Sequence, residues 1–360
     1  MKKVISLLLI IAVLPVFAAC SGSKNAMEYE GCSFSEGMYL YWMKNWKAHY
    51  VNNYSDVSDT EEFWNAENTS GLSNEEYLTR QIETRIKYYL IAQKLFDDFK
   101  LTLEKEVKDS IESDINDQIE YYGSKSEFNT ALSEEYGINI SVLRNIYTAE
   151  EKYQMVYDYL YDAASGIKTA TPDDLESYYR DNYVRVKYVM FLKDVKYAYD
   201  ENGKRVTDSN GYYKFDDLTD EEKAEVKANF ERVYEEVSSG GDIGIYMKEY
   251  MEEFGYDASE YPNGYYISAD DYMTHTADVT SAALEMNIGE VRKLETESCY
   301  FVIQKFELID NAYSTVPDSD QFTYLVAYCN NEKFSKEFST YAENVIIDSE
   351  ITGKYALSSI

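Results

Sequence analysis

The apolar residues of this chain change their period once, and that change constrains the fold more than any other feature. Up to about Ser165 they recur at three- and four-residue intervals, the helical period, whereas from Val184 they alternate as in a half-buried strand. Met38, Trp42, Trp46 and His49 fall on one helical face, and Val107, Ile111, Ile115 and Ile119 stand four apart. Ser73 with Glu76 forms a capping box ahead of a long periodic segment through Leu90, Ile91 and Leu95. Further helices are expected from about Leu103 to Tyr121, from Ser126 to Gly137 and from about Ser141 to Gly166. With only 4 Pro and 16 Gly in 360 residues, breaks are few, which favours long helices over a many-turned β-sandwich.

The second half reads differently. Thr171-Pro172-Asp173-Asp174 opens a short helix, with Thr as the cap and Pro at the first position. The strand Val184 to Phe191 follows, and then Asn202-Gly203 and Asn210-Gly211 mark a hairpin insertion. Thr219 and Glu222 cap a helix through Val226, Phe230, Val233 and Val237, which Ser238-Ser239-Gly240-Gly241 ends. A helix with Ile245, Met247, Tyr250 and Met251, a Pro262-Asn263-Gly264 turn and a helix with Val279, Ala283 and Met286 come next. The strand Tyr300 to Phe306 closes the set. Beyond a polar break at Asp310 to Asp320, one helix from about Gln321 to Ala342 cannot fold alone and is expected to pack on the N-terminal helices. The chain is therefore read as α+β, a mostly helical N-terminal module completed by a C-terminal helix, with a small antiparallel-sheet domain inserted.

Charge and scarce residue types exclude several functions. Lys plus Arg number 34 against 66 Asp plus Glu, a net charge of −32 that repels phosphate backbones and argues against a nucleic-acid partner. Two histidines, His49 and His275, all but exclude a multi-His metal centre, and the alternating Asp/Asn loop of a calcium site is missing. No GxGxxG or Walker lysine loop is present, so neither cofactor nor metal is expected. Lys2 and Lys3 precede an apolar run from Val4 to Val16, too short for a bilayer span of about 20 residues and read as an export signal. Its end, Phe17-Ala18-Ala19-Cys20, resembles the lipobox of bacterial lipoproteins. That resemblance implies cleavage before Cys20, a lipid on its sulfur, and an extracytoplasmic protein anchored to the cell membrane. Residues 1–19 are then the signal peptide and residues 20–34 the lipidated Cys with its tether. Cys32, Cys299 and Cys329 remain, without a zinc-like spacing, and read best as small hydrophobes.

The order of elements from Val184 to Leu308 resembles a parvulin-type peptidyl-prolyl isomerase domain. The residues that carry it are Val186 to Phe191, Ser239-Gly240-Gly241-Asp242, Asn263-Gly264-Tyr265, Ala282 to Val291 and Tyr300 to Lys305. Between long helices in a lipoprotein, such a domain looks like that of the PrsA and SurA foldases. The resemblance implies a helical chaperone domain over residues 35–170, a parvulin-like domain over 171–309, and a C-terminal segment, 310–360, that returns to the first. Parvulins that catalyse carry two His on adjacent central strands. Here Tyr188 and Phe301 occupy those positions, so the polar pair is broken and prolyl isomerisation is weak or lost. Met190, Tyr265, Met273, His275 and Val279 fall where the resemblance places substrate contacts.

The expected function is a membrane-anchored foldase for newly exported, unfolded polypeptides, possible as a homodimer, with isomerase activity left open. The rival is a solute-binding lipoprotein of a transporter, which requires two α/β lobes. The stripe Met38, Trp42, Trp46 and His49 admits two readings, a client-binding groove or an ordinary core stripe, the second being favoured.

Overall fold

The structure, a computed structural model, describes residues 24–269 and 277–360. It divides into two compact units: residues 24–160 with Phe334–Ile360, and Tyr161–Lys333. The signal peptide, Cys20, Met273 and His275 lie outside the described residues.

The first unit opens with a hairpin of β1 (Asn25–Tyr29) and β2 (Cys32–Ser35). This corrects the expectation of a tether over these residues. Ala26, Met27, Tyr29 and Phe34 are buried, and Glu30 (φ 44°) with Gly31 (φ 87°) supplies two left-handed turn residues, the conformation a tight hairpin requires. Six helices follow: α1 (Glu36–Asn53), α2 (Glu61–Asn65), α3 (Asn74–Asp98), α4 (Lys105–Tyr121), α5 (Lys125–Tyr136) and α6 (Ile140–Tyr161). The caps read from sequence are in place, since the Ser73 hydroxyl accepts the Glu76 N–H at 3.1 Å and Gly137 (φ 67°) ends α5. Trp42 is the centre of this core. Its ring packs on Phe34 (4.6 Å) and Tyr89 (5.3 Å), and its Nε1 donates to Glu150 at 2.7 Å. Burial pushes the Glu150 carboxyl up.

The second unit begins with α7 (Pro172–Asn182), held by a full capping box between Thr171 and Asp174. Then come β3 (Tyr183–Leu192), β4 (Val195–Tyr197), β5 (Phe215–Asp217), α8 (Asp220–Ser238), α9 (Ile243–Met251), β6 (Tyr265–Ser268), α10 (Ala277–Glu285), β7 (Val291–Glu295) and β8 (Cys299–Phe306). The main sheet has the order β6-β3-β8-β7, and every described strand pair in the chain is antiparallel. That arrangement gives no support to the pair of α/β lobes that a solute-binding protein would need. Phe230 of α8 stacks on Tyr300 at 4.8 Å, covering one side of the sheet. The insertion is the hairpin expected, with β4 pairing β5 and each Asn-Gly turn pinned by an aspartate. Asp200 accepts the N–H groups of Asn202 and Lys204, and Asp208 those of Asn210 and Tyr212.

The last elements are α11 (Leu325–Ala342), β9 (Ile346–Ile347), which adds to β1, and α12 (Ser349–Thr352). In the first unit, Phe334 and Phe338 set their rings 6.1 and 5.3 Å from that of Tyr88. Breaks were expected after residues 170 and 309, yet both fall inside the second unit. Polar contacts are the reason. The Asn330 amide donates to Tyr161 O (2.6 Å) while its oxygen accepts the Ala170 N–H (2.7 Å), and Asp318 accepts the Tyr266 hydroxyl (3.0 Å).

Candidate functional site

Two neighbouring strands build the expected site. Register sets Tyr188 opposite Ile303 and Met190 opposite Phe301, so these four side chains share one face of the sheet. Tyr265 starts β6 opposite Val186. The approach depends on Gly264 (φ 90°), where a Cβ would come within 2.4 Å of the Val186 carbonyl oxygen and 2.7 Å of Lys187 Cγ. Tyr188 stacks on Tyr265 (4.9 Å, 27°) and meets Phe301 edge-on (6.0 Å, 69°), while Tyr261 packs 5.0 Å from Tyr265.

This face is packed rather than open. Phe301 and Val279 are each 1% exposed and Tyr265 8%, all within the core of the unit. Tyr188 and Met190 are half-buried, and the Met190 N–H points at Met251 Sδ, 3.2 Å away. Burial, with Tyr261 adding to it, pushes the Tyr188 phenol up to about 12, and burial also raises Tyr265. Both hydroxyls therefore hold their protons at neutral pH. Phe301 offers no donor or acceptor at all. Of the residues placed here from sequence, the structure brings Tyr188, Met190, Tyr265, Val279 and Phe301 into one core cluster, with Val279 and Phe301 closed to any ligand.

Sequence reasoning missed Lys305, read simply as a strand residue. Its buried ammonium donates to Met286 O (2.7 Å) and Leu284 O (3.4 Å) at the C-terminal end of α10, where the helix dipole favours a cation. Desolvation lowers its pKa. A lysine amid Ile303 and Phe306 was the available signal.

The aromatic stripe on α1 splits in two. Met38 and Trp42 are buried, whereas Trp46 and Tyr50 are half-buried and His49 and Tyr54 exposed. The second group forms a ladder, with Trp46 to His49 at 5.1 Å, His49 to Tyr54 at 6.0 Å and Tyr50 to Tyr54 at 5.7 Å. The Arg85 guanidinium lies 4.5 Å over the Trp46 ring.

The thiols of Cys32, Cys299 and Cys329 are free; the last two are buried, and burial pushes Cys329 up to about 11. Among the described residues no group of three His, Cys, Asp or Glu is placed to hold a metal, and no helix is long and apolar enough to cross a membrane.

No known protein family and no curated protein matches the sequence. Solved structures do. PrsA from Bacillus subtilis matches at 18% identity and a TM-score of 0.24, covering 82% of this chain and 93% of that one. Peptidylprolyl isomerase PrsA from Bacillus cereus matches at 14% and 0.28, covering 78% and 90%. Foldase protein PrsA from Streptococcus pneumoniae matches at 13% and 0.23, covering 94% and 93%. At such identities and scores, the functional reading is left to the residues of the chain itself.

Proposed function

We propose that the protein is an extracytoplasmic chaperone, anchored by lipid at Cys20, that holds newly exported polypeptides, and that its parvulin-like domain has given up prolyl isomerisation. The observation that carries the reading is the half-exposed ladder Trp46, His49, Tyr50 and Tyr54, large apolar area with polar tips on a helix otherwise anchored in a core. Rings of this kind bind many unfolded segments loosely. A net charge of −32 keeps chaperone and client complexes dispersed by repulsion.

The chemistry of the sheet domain supports the second half of the proposal. An X-Pro bond crosses a barrier of about 18–20 kcal/mol, and a catalyst must favour the twisted amide over both planar forms. A buried phenylalanine and a protonated, ring-stacked tyrosine give no polar pair with which to do so. The test is suppression of aggregation of a denatured client by the full chain, beside Trp46→Ser and Tyr54→Ser. Suppression near equimolar ratio, lost about fivefold or more in the variants, is expected for anchors worth about 1 kcal/mol or more. Full suppression by both variants would remove the ladder, and no suppression by any form would remove the chaperone.

A further inference from the structure

In a chain of net charge −32, two stretches of the first unit carry no acid. No Asp or Glu occurs between Glu36 and Asp56, which covers all of α1 after its first residue, and none between Glu83 and Asp97 on α3. The two stretches meet where Arg85 of α3 lies over the Trp46 ring of α1 at 4.5 Å. The ladder of Trp46, His49, Tyr50 and Tyr54 is therefore joined by a guanidinium.

That charge is unopposed. Arg85 is exposed, and among the described residues it joins no ion pair. Its own helix offers no carboxylate at pairing distance, since Gln81 and Ile82 lie one turn before it and Tyr88 and Tyr89 one turn after. Glu83 is engaged with α1, accepting the Tyr39 hydroxyl at 2.9 Å. Glu150 acts with Arg85 on the Tyr89 phenol, but it accepts from Trp42 Nε1 and its own carboxyl is perturbed by Glu151, not by Arg85. The Tyr50 phenol is acted on by Arg85, Tyr54 and Tyr77, with no carboxylate among them. A guanidinium over a ring gives the indole its face and keeps in-plane N–H donors for a planar acceptor.

We propose that the ladder selects extended polypeptide segments in which large apolar side chains flank an Asp or Glu, the rings taking the apolar groups and Arg85 taking the carboxylate in a two-pronged pair. The inference rests on the reading of the ladder as the client site and names the client class. Charge complementarity fixes the partner: the one unpaired cation beside these rings matches an acid, and an arginine fork matches a carboxylate in shape as well as sign. The negative field of the whole chain is screened beyond about 10 Å at 0.1 M salt, whereas this pair meets at hydrogen-bond distance.

The experiment is fluorescence anisotropy of a dye-labelled octapeptide, Phe-Asp-Leu in a Ser/Gly background with its C-terminus amidated, titrated with the full chain. Counterparts replace Asp by Asn or Lys, or both Phe and Leu by Ser. Asp to Asn is expected to weaken binding about fivefold, Asp to Lys about tenfold or more, and loss of both apolar groups about tenfold. Arg85→Gln should weaken the Asp peptide about fivefold and the Asn peptide by clearly less, and Arg85→Lys should restore part of the difference. Equal affinity for the Asp, Asn and Lys peptides, or an equal loss for the Asp and Asn peptides in Arg85→Gln, would overturn the proposal while leaving the ladder as a client site. Failure of every peptide to bind, or binding that ignores Trp46→Ser and Tyr54→Ser, would overturn the ladder reading and the proposal with it.

Discussion

Two aromatic groups in this protein use the same residue types to opposite ends. Tyr188, Tyr265 and Phe301 stack within the sheet unit, with Phe301 at 1% exposure. Trp46, His49 and Tyr50 run along α1 and Tyr54 caps its C-terminal end, with Tyr54 at 49% exposure. The first group gains by leaving water, whereas the second keeps much of its area in contact with water. Aromatic content alone therefore says nothing about binding. What separates the groups is the element that carries them, since Tyr188 and Phe301 lie on the two central strands of the sheet while a helix turns one face outward.

The contrast can be broken at either end. The largest effect is expected for Phe301→Ala, which should destabilise the chain by about 3–5 kcal/mol in chemical denaturation, the cost of emptying a core site of that size. A change below about 1 kcal/mol would mean that this face is loosely packed and open to ligand. Thr171→Ala removes the cap of α7 and should cost about 0.5–2 kcal/mol.

The partner of that cap gives the pH dependence. The Asp174 carboxyl is held at about 2 by hydrogen bonding to Lys333 and to the backbone and hydroxyl of Thr171. Its folded value lies below the unfolded value of about 3.9, so its contribution is complete above that pH and lost as pH falls toward 2. Thermal midpoints of the wild type and Asp174→Asn should differ at pH 7 and converge near pH 2, the wild type being the higher. Smallest of all is the expected effect of Tyr54→Ser on stability, within about 0.5 kcal/mol, although the same change weakens client capture. A large loss of stability there would turn the ladder into core and erase the contrast.

Much of this was legible in the sequence because it rests on local chemistry. Ser73 with Glu76, Thr171 with Asp174, Thr219 with Glu222, and Gly137 announce helix ends through hydrogen bonds made within a few residues. Asn202-Gly203 and Asn210-Gly211 likewise announce turns. The Asn25–Ser35 hairpin was missed because its turn is Glu-Gly, a weak signal, and because the adjacent buried pair Ala26 and Met27, at an irregularity in the pairing, breaks the alternation over a short span. Asn330 and Asp318 tie residues 310–333 to the sheet unit across long sequence separations, which hydrophobic period cannot register. Of the site, the positions of Tyr188 and Phe301 on facing strands were readable; their enclosure depends on Tyr261, Tyr265 and α10 together. The α1 stripe shows the same limit, since equal spacing placed Trp42 and Trp46 on one face and depth alone divides them.

The most direct test is acceleration of proline-limited refolding of a client by the full chain, at concentrations that suppress aggregation of the same client. Suppression with an unchanged refolding rate is expected. A rate that rises with the concentration of the chain, and falls back in Tyr188→Phe, would contradict it and make the Tyr188 face an active isomerase site.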